Sequence, residues 1–549
     1  MKFLKVLINS LISGIFFCCL LSLLISDLNI NLRFDLVFFF QLVLFLFITY
    51  GLFFSFLSFI LFFIIQFFSG RKFKILIISP SFLSISSSLI IFLFILIFKV
   101  NQSYFLSFFD LKIQKILNTQ STILLVIAIL GLITFYSSNR YKKNVLFYWI
   151  YFPLLLASII YVVNQRYLYP VQLKPVKVAS IQAKKIDKKI TIIGLEGLSF
   201  DFLIPLIDDG KLPNFSWFME NGSWGKLENF SPNEPLILNN SFNTGKLPAK
   251  HRQISLYKYH ILNASKTIEI TPRFILFWQL TRTDLLRIAP NNIPASTKDI
   301  WKILEGNKIP FIKRDWPYGL QITKPSQKAD KLFDLYFKEL KYEPSDIFNI
   351  VKQAFYRDFE YKEKVSQEKS ATQPQLIYFL LNGLNIVETY FYKYNYPDLF
   401  GNIDQEDIIK YSSIIEKYYQ FYDQIIGKYL ASLKEDDVLV IYSPHGIEAL
   451  PLWKRIVEWI LGHTEVSAYH EHAPEGVILF YGKEIVRGKN IEGMNLIDIA
   501  PTLLNYLGLP VGKDMDGIVN SSIFVEEFRI ENPVLYISSY EEITIKSPK

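Results

Sequence analysis

The sequence predicts an α-helical membrane region followed by an α/β domain with a mostly parallel central sheet flanked by helices. Three observations predict it. Residues 1–165 are almost continuously Phe, Leu and Ile. Beyond residue 189, short β-branched runs alternate with stretches of helical periodicity. A chain of 549 residues is also too long for one core.

In the first region, apolar runs at 5–26, 36–68, 77–99, 122–137 and 145–163 are candidate membrane helices, since about 20 residues cover the ~30 Å hydrocarbon core. The second run is long enough to be either one helix or two short ones joined near Gly51. Lys2 and Lys5 precede the first run, Arg71, Lys72 and Lys74 follow the second, and Arg140, Lys142 and Lys143 follow the fourth. Cytoplasmic loops collect Lys and Arg, so these clusters share the cytoplasmic side if 36–68 crosses once. The amino terminus is then cytoplasmic and the globular part extracytoplasmic. Lys112 and Lys115 run against this assignment.

The two cysteines, Cys18 and Cys19, lie inside the first run, which excludes a disulfide framework or a cysteine zinc site in the globular part. Residues 166–189 form a basic linker containing Lys174, Lys177, Lys184, Lys185, Lys188 and Lys189. Such a segment either lies against anionic headgroups or is a solvated tether. The bilayer is one expected partner. The globular part has no basic stripe with interleaved aromatics, so nucleic acid is not an expected partner.

Ile190–Leu195, Leu376–Leu380, Val438–Tyr442 and Val477–Tyr481 are short apolar runs of the kind that form buried strands. Between the second and third, Ile408, Tyr411, Ile415, Tyr418, Tyr422, Ile425 and Tyr429 recur at helical spacing, which reads as a core-facing stripe. Ligands of parallel sheets bind beyond the carboxyl ends of the strands, so chemistry is expected at those ends.

Ordered motifs lie there: Ile193-Gly-Leu-Glu-Gly197, Leu212-Pro-Asn-Phe215, Met219-Glu-Asn-Gly222, Thr244-Gly-Lys-Leu-Pro-Ala-Lys-His251 and Asn382-Gly-Leu-Asn385. Ser443-Pro-His-Gly446, Tyr469-His-Glu-His-Ala-Pro-Glu-Gly476, Asp498-Ile-Ala-Pro-Thr-Leu-Leu504 and Asp514-Met-Asp-Gly517 follow. Together they resemble the alkaline phosphatase superfamily, in particular its type I phosphodiesterase and nucleotide pyrophosphatase branch. The resemblance implies an alkaline-phosphatase-like domain over 190–520, with 252–375 poorly matched and read as a cap insertion, and a tail at 521–549.

The family hydrolyses or transfers phosphate esters with two divalent metals and a Ser or Thr nucleophile. At the positions the resemblance assigns to that machinery, this chain departs from the pattern. Glu196 replaces a metal-binding Asp. Pro235, or Glu234 after a one-residue slip, stands at the nucleophile. Asn385 and Thr389 replace an Asp and a His, Pro444 replaces the Asp before His445, and His470 is kept while His472 replaces an Arg. Asn385, Thr389 and His472 are therefore expected to line the pocket. Catalytic zinc sites use at least three good protein ligands. What survives could hold at most one zinc or manganese ion, on Glu196, His445 and His470, and the favoured expectation is none.

Two functions compete. One is a membrane-anchored pseudoenzyme that binds a phosphorylated lipid, glycan or protein. The other is an active phosphohydrolase or phosphoethanolamine-type transferase with a rearranged site, in which water attacks directly and Glu196, Glu234, His445 and His470 take part.

Overall fold

The computed structural model describes residues 2–68, 76–140, 146–169, 188–273, 277–291, 297–316, 322–338, 346–401 and 403–541. The chain divides into two compact units. One comprises Met1–Lys174 with Pro248–Pro294, the other Pro175–Leu247 with Ala295–Lys549.

Among its described residues, the first unit contains five helices long and apolar enough to cross a membrane: Phe3–Leu28, Leu36–Phe67, Pro80–Tyr104, Leu111–Ser138 and Leu146–Arg166. The second is a single helix, because Leu36–Leu46 and Leu52–Phe68 are joined through one π-helical turn at Phe47–Gly51. Polar side chains mark both ends of the bundle. Near the chain start, Asn9 Nδ2 donates to Ile77 O at 3.0 Å and Asn9 Oδ1 accepts from Ser79 N at 2.7 Å. At the other end, Arg166 Nε donates to Ser26 O at 2.8 Å, and its Nη2 donates to Leu32 O at 2.7 Å. The loop after the first helix and the end of the fifth thus share one end. Of the charges used for orientation, Arg71, Lys72, Lys74, Lys142 and Lys143 lie outside the described residues, as do Lys174, Lys177, Lys184 and Lys185 of the linker.

Residues 252–375 are not one insertion. Their first part, within Pro248–Pro294, belongs to the helical unit and forms a three-stranded antiparallel sheet of Thr267–Ile268, Tyr257–Ile261 and Leu286–Pro290. Two buried asparagines, Asn29 after the first of these helices and Asn101 in the third, hold it by backbone mimicry. Asn29 accepts from Ile270 N and donates to Ile270 O, and Asn101 does the same with Arg273. The rest, from Ala295, belongs to the α/β unit.

That unit is built on seven strands: β1 (Lys189–Leu195), β2 (Ser223–Glu228), β3 (Phe311–Arg314), β4 (Leu376–Leu381), β5 (Asp437–His445), β6 (Glu475–Tyr481) and β7 (Lys489–Asn495). Their spatial order is β7-β2-β6-β5-β1-β4-β3. β1 pairs in parallel with β4 and β5, whereas β6 runs antiparallel to both neighbours. The continuous apolar runs fill both faces of the sheet. Ile193, Phe379, Ile441 and Leu479 point into one core, and Ile192, Tyr378, Val440 and Ile478 into the other. The stripe expected around 408–429 is buried in the first core, on helices Gln405–Tyr411 and Ser413–Ser432.

Residues 521–541 are part of the domain rather than a tail. Phe524 and Phe528 are buried in the second core, Tyr536–Ile537 pairs with Val511–Gly512, and Lys246 Nζ donates to Glu541 Oε1 at 2.6 Å.

Candidate functional site

Five segments meet at one end of the sheet. β1 runs into Glu196, Gly197 and Ser199, and Glu196 N donates to Leu381 O at 3.0 Å, which binds the two strand exits together. Gly197 has φ +92°, and a Cβ on it would lie 2.4 Å from Glu388 Oε2, so the turn needs glycine for both conformation and space. Gly446 is equally confined: an added Cβ would sit 2.9 Å from the Cβ of Ser199. The exits of β1, β4 and β5 therefore touch.

Because β6 is antiparallel, its start rather than its end faces this site, with Glu475 opposite His445. This reverses the expectation for the run Val477–Tyr481 and brings residues 469–475 to the crevice. The loop before the helix Pro235–Thr244 is tied to the same place. Asn229 Nδ2 donates to Pro444 O at 2.7 Å, and Asn233 Nδ2 donates to His470 O at 3.0 Å. Pro235 is the first residue of that helix and Glu234 its exposed N-cap, with no side-chain capping bond. The position that the resemblance assigns to the nucleophile thus lies at a helix amino terminus and carries no hydroxyl.

The two histidines are brought together, their rings stacked with centroids 4.8 Å apart. His445 Nδ1 lies 2.9 Å from Gly446 O. A carbonyl can only accept, so Nδ1 carries the proton and Nε2 the lone pair. That Nε2 is buried with no hydrogen-bond partner. Burial, and secondarily the neighbouring His470, push the His445 pKa down to about 3. Burial and the Lys454 ammonium lower that of His470 as well. Both rings are neutral at physiological pH.

The β4 exit contributes more than the motif comparison anticipated. Asn385 Oδ1 and Asn382 Oδ1 are buried without partners. Thr389 Oγ1 donates to Asn385 O at 2.7 Å, so its hydroxyl proton is committed to the backbone. Between them stands Glu388, fully buried, with Oε1 accepting from Tyr419 OH at 3.3 Å and Oε2 unpartnered. Burial raises its pKa well above the ordinary carboxylate value, against a smaller opposing effect of the Tyr419 hydrogen bond. Sequence reasoning passed over Glu388, because a Glu within a helix ordinarily faces water. Its position beside Thr389 was the available signal. His472 is not gathered in: its side chain is 67% exposed, and its backbone N donates to Glu448 Oε1.

The side chains present do not fit a two-metal centre. Among the described residues no three His, Cys, Asp or Glu side chains converge closely enough to hold an ion, and the trio Glu196, His445 and His470 is no exception. By the resemblance, prolines and amides occupy positions where such a centre needs carboxylates and imidazoles. What the strand ends offer is a set of buried acceptors without partners, Asn382 Oδ1, Asn385 Oδ1 and His445 Nε2, beside a Glu388 carboxyl whose raised pKa favours the protonated, donating form.

The motif residues thus gather at the strand ends of a mostly parallel, helix-flanked sheet. Residues 190–495 match the model of the type I phosphodiesterase / nucleotide pyrophosphatase family, and the chain belongs to that family. The phosphonate monoester hydrolase SpPMH from Silicibacter pomeroyi is similar at 11% identity, over 61% of this chain and 76% of that one, with a TM-score of 0.36. Murine ectonucleotide pyrophosphatase / phosphodiesterase 5, solved as an inactive variant with AMP, is similar at 13% identity, over 59% and 95% of the two chains, with a TM-score of 0.34. No curated protein matches the sequence.

Proposed function

We propose that this chain is a membrane-anchored pseudoenzyme of the family, which binds a phosphorylated lipid, glycan or protein outside the cytoplasm and does not hydrolyse it. The observation that carries the reading is Pro235 at the first turn of the helix Pro235–Thr244. The family's displacement needs an attacking oxygen at that point, and proline supplies none. The substituted metal positions act in the same direction, since without cations neither attacking nor leaving oxygen is stabilised.

The acceptor-rich crevice bears on which phosphorylated ligand it takes. Buried acceptors without donors are costly, so a ligand that presents hydroxyl or ammonium groups beside its phosphoryl group would satisfy them. A sugar phosphate or an ethanolamine phosphate has that chemistry. Thermal denaturation of the full-length protein in detergent, with glycerophosphoethanolamine or a sugar phosphate added in the presence of EDTA, tests this. The expected result is a raised melting temperature that is lost in Asn385→Leu. No shift with either ligand, or release of a hydrolysis product, would count against the reading.

A further inference from the structure

The helix Leu452–Leu461 lies in the segment that joins His445 to His470, and it is folded with its polar side inward. Lys454 forms an ion pair with Glu471, and its ammonium lies 3.9 Å from the centroid of the Tyr469 ring. Arg455 sits 4.7 Å over the ring of Phe400. The apolar residues are turned the other way. Leu452, Trp453, Ile456, Val457, Trp459 and Ile460 are all exposed, Trp459 by 70% and Ile460 by 69%, and no residue of the helix is buried. At 3.6 residues per turn these six share one face.

An ordinary surface helix hides that face. Contiguous exposed apolar surface marks a site of interaction with something equally apolar. The chain itself brings such a surface. Five of its helices are long and apolar enough to cross a bilayer, and the last of them, ending at Arg166, is joined to β1 at Lys189 by residues 167–188, a span of about 75 Å at most when extended. The chain also re-enters the membrane unit after Leu247 and returns at Ala295. A tethered surface of this kind meets the bilayer at high effective concentration. The composition suits the lipid interface: two tryptophans flank aliphatic residues on one side, with lysine and arginine on the other, as in helices that lie flat at the headgroup boundary.

We propose that Leu452–Leu461 is an interfacial helix that seats its apolar face in the membrane carrying the chain. The Lys454–Glu471 contact then links that seat directly to the segment bearing His470, and the crevice is held beside lipid headgroups.

Nitroxide accessibility in the full-length protein tests this. Cys18 and Cys19 are replaced by Ala, and the chain is reconstituted in nanodiscs of equal parts phosphatidylcholine and phosphatidylglycerol. A spin label is placed at Trp459→Cys, at Ile460→Cys or, as a solvent control, at Lys483→Cys, where the native side chain is 56% exposed. Labels at 459 and 460 should collide more with oxygen than with a water-soluble nickel chelate, and the order should reverse at 483. Greater nickel than oxygen access at 459 and 460 would overturn the proposal by showing the face in water. Shielding from both reagents would overturn it in favour of a protein partner or a second copy.

Discussion

Glu388 shows how a single buried group colours the whole crevice. Its carboxyl has one donor, Tyr419, and an otherwise unpartnered oxygen. Burial holds its pKa above the ordinary 4.5, so the folded protein keeps a proton that the unfolded chain releases. The stability linked to this proton is fully present below the unfolded value and is lost as pH rises through the folded one. Glu388→Gln cannot ionise and escapes that loss. Its melting temperature relative to the parent should therefore rise as pH rises above about 4.5; an offset that does not change with pH would contradict the assignment. Glu388 was not legible in the sequence, because only its burial distinguishes it from a solvent-facing helical Glu. Glu196, Asn385, His445 and His470 lie beside strand exits, a placement that their motif positions implied. His472 was placed by the same logic and lies in water, because a motif gives a residue's order in the chain but not the direction of its side chain.

At the scale of elements, legibility follows burial. β1, β4, β5 and β6 are apolar on both faces and stand out as runs of Ile, Leu, Val and Phe. β2, Ser223-Trp-Gly-Lys-Leu-Glu228, alternates buried with more exposed positions and contains a glycine. β7 contains Lys489, Glu492 and Gly493 and is buried at only two positions. Both are near or at the sheet edge, where one side needs no apolar partner, so period and composition understate them. Strand direction was equally hidden: nothing in Val477–Tyr481 says that it runs against its neighbours, yet that reversal brings His470 to the crevice. The helix Leu452–Leu461 makes the same point. Its spacing marks it as amphipathic, but the sequence alone does not say which face the domain takes.

For the whole molecule, the apolar first third and the α/β remainder were separable by composition, but the return of Pro248–Pro294 to the helical unit was not. That return depends on buried Asn29 and Asn101 side chains meeting backbone groups far along the sequence, a pairing that leaves no periodic trace. The orientation we propose places the amino terminus in the cytoplasm. A cysteine introduced at Lys226, whose side chain is 67% exposed, should accept a membrane-impermeant thiol reagent in intact cells with Cys18 and Cys19 replaced; labelling only after lysis would place the domain inside. We propose that the family's strand-end site is kept while its metal-dependent chemistry is gone. Metal analysis of the purified full-length protein, paired with a bis-aryl phosphodiester assay in added zinc or manganese, tests it most directly. The account predicts less than one bound ion per chain and no turnover; a stoichiometric ion accompanied by turnover, both lost in His470→Ala, would contradict it.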